Sequence, residues 1–227
     1  MASAARRVGR EPETITLMAV SKTVSSDKIR ELYQAGQRLF GESRIQEFAG
    51  KTASLQDLRD AAWHMIGHLQ SNKASKAAEL FGAVDSVDSL RLAEKLNAAA
   101  EQVGKKLPLL IEINVGAEAA KSGVWPESSE LQAILQAAGG WNHVEVRGLM
   151  TVPPFGEDAE ATRPFFRRMR ELRDEIAHQN LPKVSMGVLS MGMSHDFEIA
   201  IEEGSTTVRV GTAIFGNRES QAPARQA

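Results

Sequence analysis

Eight short apolar runs alternate with helix-patterned segments, and no Gly/Ser/Pro-rich linker divides them, so the sequence predicts a single (β/α)8 TIM barrel. The strongest run, Leu107 to Val115, is almost continuously apolar, which suits a parallel strand buried on both faces. A doubly wound open sheet is the competing architecture. The barrel is expected to occupy residues 1–217, with 218–227 a disordered polar tail.

The first strand is read from Ile15 to Lys22, bounded by Glu13 before and Ser25-Ser26-Asp27 after. Ile29, Leu32, Tyr33 and Gly36 then follow helical spacing, with Ser25 or Ser26 as N-cap. Arg38 to Gly41 makes a short second strand, Trp63 to Gly67 a third and Ala83 to Val87 a fourth. Leu92, Ala93, Leu96, Ala99, Ala100 and Val103 form one apolar helical stripe. After the fifth strand, Pro126 opens a helix whose inner side carries Leu131, Ile134, Leu135 and Ala138. Val144 to Met150 is the sixth strand, and Phe165, Met169, Leu172 and Ile176 mark a long helix beyond it. Val184 to Met191 and Thr206 to Ile214 are the last two strands, separated by a short helix capped by Ser194.

Composition narrows the function classes. Of 227 residues, 42% are hydrophobic and 25% charged, as in a globular protein with ample core. The net charge of −2, with acids and bases interspersed, offers no basic face for nucleic acid. Apolar stretches are strand-length, so no membrane span is expected. No secretory leader pattern opens the chain, and cysteine is absent, which excludes disulfides, thiolate zinc sites and cysteine nucleophiles. A cytoplasmic location is the resulting expectation.

Lys22 is the residue of most chemical interest. A strand ending in lysine places a primary amine at the rim of a core, where partial desolvation favours the nucleophilic form. Alone, such a lysine is most often an ordinary solvated residue. A second group lies nearly the whole chain away. Strand seven runs into Leu189-Ser190-Met191-Gly192-Met193-Ser194, and strand eight into Gly211-Thr212-Ala213. Each ending offers a hydroxyl and a glycine through which backbone N–H groups can approach an anion, at the rim where barrels bind phosphate. Asp196 and Glu198 would repel a phosphate there and are expected to point away. An imine-forming lysine beside a phosphate cup describes a site for pyridoxal phosphate.

The motifs extend beyond those residues. Ala19-Val20-Ser21-Lys22-Thr23, Phe40-Gly41-Glu42-Ser43 with Gln46-Glu47, Ile66 to Lys73, Lys121-Ser122-Gly123, Gly148-Leu149-Met150-Thr151, Leu189 to Ser194, and Gly204 to Gly216 follow one another along the chain. In these stretches the chain resembles the pyridoxal phosphate homeostasis protein family, bacterial relatives of the proline synthetase co-transcribed protein. The resemblance implies a barrel like the N-terminal domain of alanine racemase, with pyridoxal phosphate held as a Schiff base on Lys22. It implies Ser190, Gly211 and Thr212 at the phosphate, with Met191 among the cofactor-binding residues and Arg209 facing the pyridine nitrogen. A guanidinium there disfavours a protonated ring nitrogen and makes the ring a weaker electron sink. The chain departs from the family pattern at Ser43, where asparagine is usual, in Asn114 to Glu118, which lacks a serine, and in a first helix cut to roughly Ala2 to Arg10.

The expected function is therefore a non-catalytic protein of vitamin B6 homeostasis, binding pyridoxal phosphate and serving cofactor-requiring apo-enzymes, as a monomer. The alternative is an amino-acid racemase. Two-base racemisation needs a group on each face of the α-carbon. The single tyrosine, Tyr33, is expected on an outer helix. His64 and His68 stand four apart but fall in or after a strand with no third ligand near, so no metal is expected. Trp63, Trp125 and Trp141 read as packing residues, and Lys73, Lys76 and Lys121 as solvated.

Overall fold

The structure, a computed structural model, describes residues 1–216 of the chain, so the expected tail lies outside the described residues. Eight parallel strands, β1 (Thr16–Val20), β2 (Leu39–Glu42), β3 (Ala62–Met65), β4 (Ala83–Val87), β5 (Leu107–Glu112), β6 (Val144–Met150), β7 (Val184–Ser190) and β8 (Thr207–Val210), close into a barrel in sequence order. The closed (β/α)8 architecture is the expected one, and the open sheet is excluded because β1 pairs with β8 from Thr16↔Thr207 to Ala19↔Val210. The helices are α1 (Ala2–Arg7), α2 (Ser26–Gln34), α3 (Ile45–Leu55), α4 (Ala74–Leu80), α5 (Leu90–Gln102), α6 (Ser129–Ala138), α7 (Arg163–Ala177), α8 (Phe197–Glu202) and α9 (Thr212–Phe215). Among the described residues no helix is long and apolar enough to cross a membrane.

Caps set several helix starts. Ser25 Oγ accepts from the Lys28 amide and Ser89 Oγ from the Leu92 amide, opening α2 and α5. α6 begins at Ser129 rather than at Pro126, because Ser128 Oγ accepts from the Leu131 amide and stops the orphan donors of the first turn there. In α7 the buried aromatic is Phe166, not Phe165: with Pro164 in the first turn, the stripe toward the barrel is Phe166, Met169, Leu172 and Ile176. The α5 stripe holds except for Val103, which lies past the helix end and is exposed.

Most of the core lies between barrel and helices, where Leu92, Leu96, Leu109, Ile111, Leu131, Ile134, Val146 and Phe166 are buried in one cluster. Phe40 stacks on half-buried Trp63 and Phe48 tilts against it, and Trp141 is buried, whereas Trp125 stands 54% exposed and does not pack as expected. Inside the barrel, Met18, Leu110, Val188, His64 and Asp85 line a cavity of about 230 Å³.

Candidate functional site

Neighbouring strands bring the distant motifs together. β1 lies beside β8, so Ala19 pairs with Val210, and a Cβ added at Gly211 would meet Val20 at 3.5 Å. The β1 end carrying half-buried Lys22 therefore borders the loop that carries Gly211 and Thr212. Their separation of nearly the whole chain disappears because the barrel closes between first and last strands.

The strand-seven loop adds an oxygen rather than a cap. Ser194 Oγ accepts from the Gly211 and Ala213 amides, each at 3.3 Å. Two amides aimed at one oxygen mark a place where an anionic oxygen would also be stabilised. α8 begins after Asp196, whose own carboxylate accepts from the Met193 amide at 2.7 Å. Asp196, not Ser194, stands at the N-cap position, without a side-chain bond into the helix, and Ser194 instead accepts from the Gly211 and Ala213 amides. Gly192 makes this turn possible: its φ is +95°, and a Cβ there would lie 2.5 Å from Ala200 Cβ. Glu198 turns outward to Arg7 at 2.6 Å, and the buried Asp196 carboxylate is engaged by the Met193 amide. Burial pushes the Asp196 carboxyl up, against the Met193 amide and the positive charge of Arg209.

Ser190 and Arg209 sit deeper. Arg209 is buried, and its guanidinium donates to Ser190 O and Oγ at 2.8 Å each and to Thr151 O at 2.7 Å. The Ser190 hydroxyl thus accepts from Arg209, below the cup where Ser194 stands, and Met191 is wholly buried behind the turn. Desolvation lowers the pKa of Arg209, opposed by the carboxylates of Asp85, Glu112 and Asp196. Three acids thus surround one buried cation and offset part of the cost of burying it.

Sequence reasoning passed over one carboxylate. Glu112 ends the strongest strand and has its carboxyl pushed up to about 7, first by burial and then by Asp88, against Arg209 and His68. Its Oε2 is buried without a hydrogen-bond partner. The signal was available: a carboxylate closing an otherwise apolar run. His68 pairs with Asp88 at 2.9 Å beside an open cleft of about 440 Å³ that includes Ser71, Asn72 and Arg91. His64 pairs with Asp85 at 3.1 Å, so the two histidines face different acids. Among the described residues no group of three metal-ligating side chains gathers. Lys121 also differs from expectation, donating to Pro153 O at 3.0 Å and pairing with Glu118 at 2.6 Å.

Comparison with known proteins identifies the family. The family described as alanine racemase, N-terminal domain, matches residues 2–219. The pyridoxal phosphate homeostasis protein of Aquifex aeolicus is 44% identical over 95% of this chain and 92% of its own. PipY of Synechococcus elongatus PCC7942, in a structure with PLP bound, superposes with a TM-score of 0.82 at 41% identity, covering 94% of this chain and 98% of that one. Alanine racemase of Clostridium difficile 630 is only 16% identical, with a TM-score of 0.70 over 96% of this chain and 56% of that one, a likeness of fold alone. With relatives this similar along nearly its whole length, and with the lysine and the amide cup on adjoining strands, the chain belongs to the pyridoxal phosphate homeostasis protein family.

Proposed function

We propose that this protein binds pyridoxal phosphate on Lys22 and takes part in vitamin B6 homeostasis, holding a reactive aldehyde in covalent but reversible storage. The observation that carries this reading is the β1–β8 register, which sets the Lys22 strand end beside the Gly211 and Ala213 amides. The residues suit the cofactor: a phosphate oxygen would take up the amide donors that Ser194 Oγ now accepts from, with Thr212 on the same loop. When bound, the cofactor supplies an aldehyde that condenses with a primary amine, joining Nζ to carbon and releasing one water.

Arg209 stands behind the cup as a fixed cation and supports the expected placement toward the ring nitrogen, with Ser190 orienting its guanidinium. Such a placement disfavours ring protonation and suits storage better than carbanion chemistry. The non-catalytic reading is supported further by Tyr33, the single tyrosine, whose hydroxyl donates to Asp60 on the outer side of α2, so no tyrosine base reaches the mouth. The recipients implied are cofactor-requiring apo-enzymes of the cytoplasm, served by a monomer.

The test is intact-mass analysis after mixing protein with pyridoxal phosphate and reducing with borohydride. One pyridoxyl group is expected, mapped to Lys22 and lost in Lys22→Ala. Absence of any adduct on the unmodified protein sinks the reading.

A further inference from the structure

The end of β1 is gripped from a side that the proposed binding role does not use. α3 presents Glu47 and Lys51 four residues apart on one face, and fully buried Glu42 ends β2 beside them. Lys51 Nζ donates to Ser21 O at 3.0 Å, Glu47 Oε1 at 2.7 Å and Glu42 Oε1 at 3.3 Å, so its three donors are all engaged. Ser21 Oγ donates to the same Glu42 oxygen at 2.7 Å, and the Thr23 amide donates to Glu47 Oε1. These bonds bracket Lys22 on both sides of its backbone. Thr23, the next residue, has a φ of +62°, a left-handed conformation that a β-branched residue keeps only when its surroundings enforce it.

The network is built to stay charged where it needs to be. Burial pushes the Glu47 carboxyl up, but the hydrogen bonds from Lys51 and the Thr23 amide outweigh it and hold Glu47 below the usual range. Glu42 is raised by burial, against Ser21 and Lys51, and its Oε2 has no hydrogen-bond partner. Removing Lys51 would leave the Glu42 and Glu47 carboxyls without the shared cation that links them to the Ser21 carbonyl.

We propose that Lys51 is a positioning residue: by joining Glu42, Glu47 and the Ser21 carbonyl, it fixes the left-handed turn at Thr23 and so directs the Lys22 amine toward the amide cup. The inference rests on the binding role of Lys22 proposed above and adds the device that aims it. Lys51 itself touches neither the cup nor the reacting carbon.

Pyridoxal phosphate and pyridoxine phosphate separate aiming from mere folding. Pyridoxine phosphate has no aldehyde and can use only the cup. In Lys51→Met, pyridoxal phosphate affinity is expected to fall about tenfold while pyridoxine phosphate affinity stays within twofold. Amide hydrogen exchange of Ser21 to Val24, followed without either ligand, is expected to quicken about tenfold, with β4 to β6 unchanged. Equal loss for both ligands, or loss for neither, overturns the proposal. If Lys51→Met loses exchange protection throughout, Glu47→Gln is measured instead, with the same preferential loss of pyridoxal phosphate required. Should the unmodified protein take up no pyridoxal phosphate at all, the binding role fails, and the exchange of Ser21 to Val24 still decides whether Lys51 holds the turn.

Discussion

At the scale of single residues, the barrel top is an electrostatic balance around Arg209. Burial pushes the Glu112 carboxyl into the neutral range. Its pKa of about 7 in the folded protein stands above the ordinary 4.5 of a free glutamate, so the folded state holds its proton more tightly than the unfolded state. Stability from this group is therefore greatest in acid, declines as pH rises from 4.5 toward 7, and stays at its lowest level above that. The span corresponds to about 3 kcal/mol. Glu112→Gln is expected to match the unmodified protein near pH 4 and to exceed it by up to about 3 kcal/mol at pH 8 in urea unfolding. Parallel stability–pH curves for the two proteins would contradict the assignment. Lys22 was legible in the sequence because a lysine ending an apolar strand is a one-residue signal. Ser194 was not, because the same Ser-His-Asp pattern serves equally well as a helix cap, and only the position of the Gly211 amide decides between them.

At the scale of elements, strand contacts set limits that composition does not reveal. Gly148 lies on β6 where β7 comes so close that a Cβ would sit 1.8 Å from the Val188 carbonyl oxygen. The β6–β7 ladder slips in register between Val146 and Gly148, and this crowding accompanies the slip. Gly148→Ala must force these strands apart and is expected to cost several kcal/mol, seen as a lowered unfolding midpoint. An unchanged midpoint would show that the strands can separate freely. Element limits were the weakest part of the sequence reading. β8 ends at Val210 instead of Ile214, because Gly211 turns the chain and Thr212–Phe215 winds into α9. β5 ends at Glu112 instead of Val115, where Ile113 bridges to Val124 and Asn114 holds the loop through Glu118.

At the scale of the whole molecule, the site sits where the barrel closes most thinly. β7 and β8 share one ladder pair, Ser190↔Thr207, whereas β1 and β8 share four. Side chains supplement that seam. Ser205 Oγ lies 2.8 Å from Met191 O, 3.0 Å from Thr207 O and 3.3 Å from Leu189 O, and Thr206 Oγ1 accepts from the Leu189 amide at 2.8 Å. Ser205 is wholly buried, so Ser205→Ala leaves carbonyls short of a donor and is expected to cost about 1 to 3 kcal/mol. Hydrogen exchange should quicken first in Leu189 to Val210, carrying the Ser194 and Gly211 loops with it. Uniform acceleration over the barrel would refute a local seam. On the outside, Glu203 is tied to Arg163, Arg167 and Arg170 at 3.0 to 3.2 Å, which anchors α8 to α7 beneath the same loops.

The alternation of strands and helices, the barrel class, the strand-end lysine and the glycine-bearing loops could all be read along the chain, because hydrophobic period and turn chemistry are local properties. Tertiary structure decided which hydroxyl faces the cup, how Arg209 is held, and that α3 reaches back over β2 to grip the end of β1. Those outcomes depend on strand register and on distances between residues far apart in the chain. A shift of one residue in register turns every side chain to the opposite face, and no local pattern carries that information.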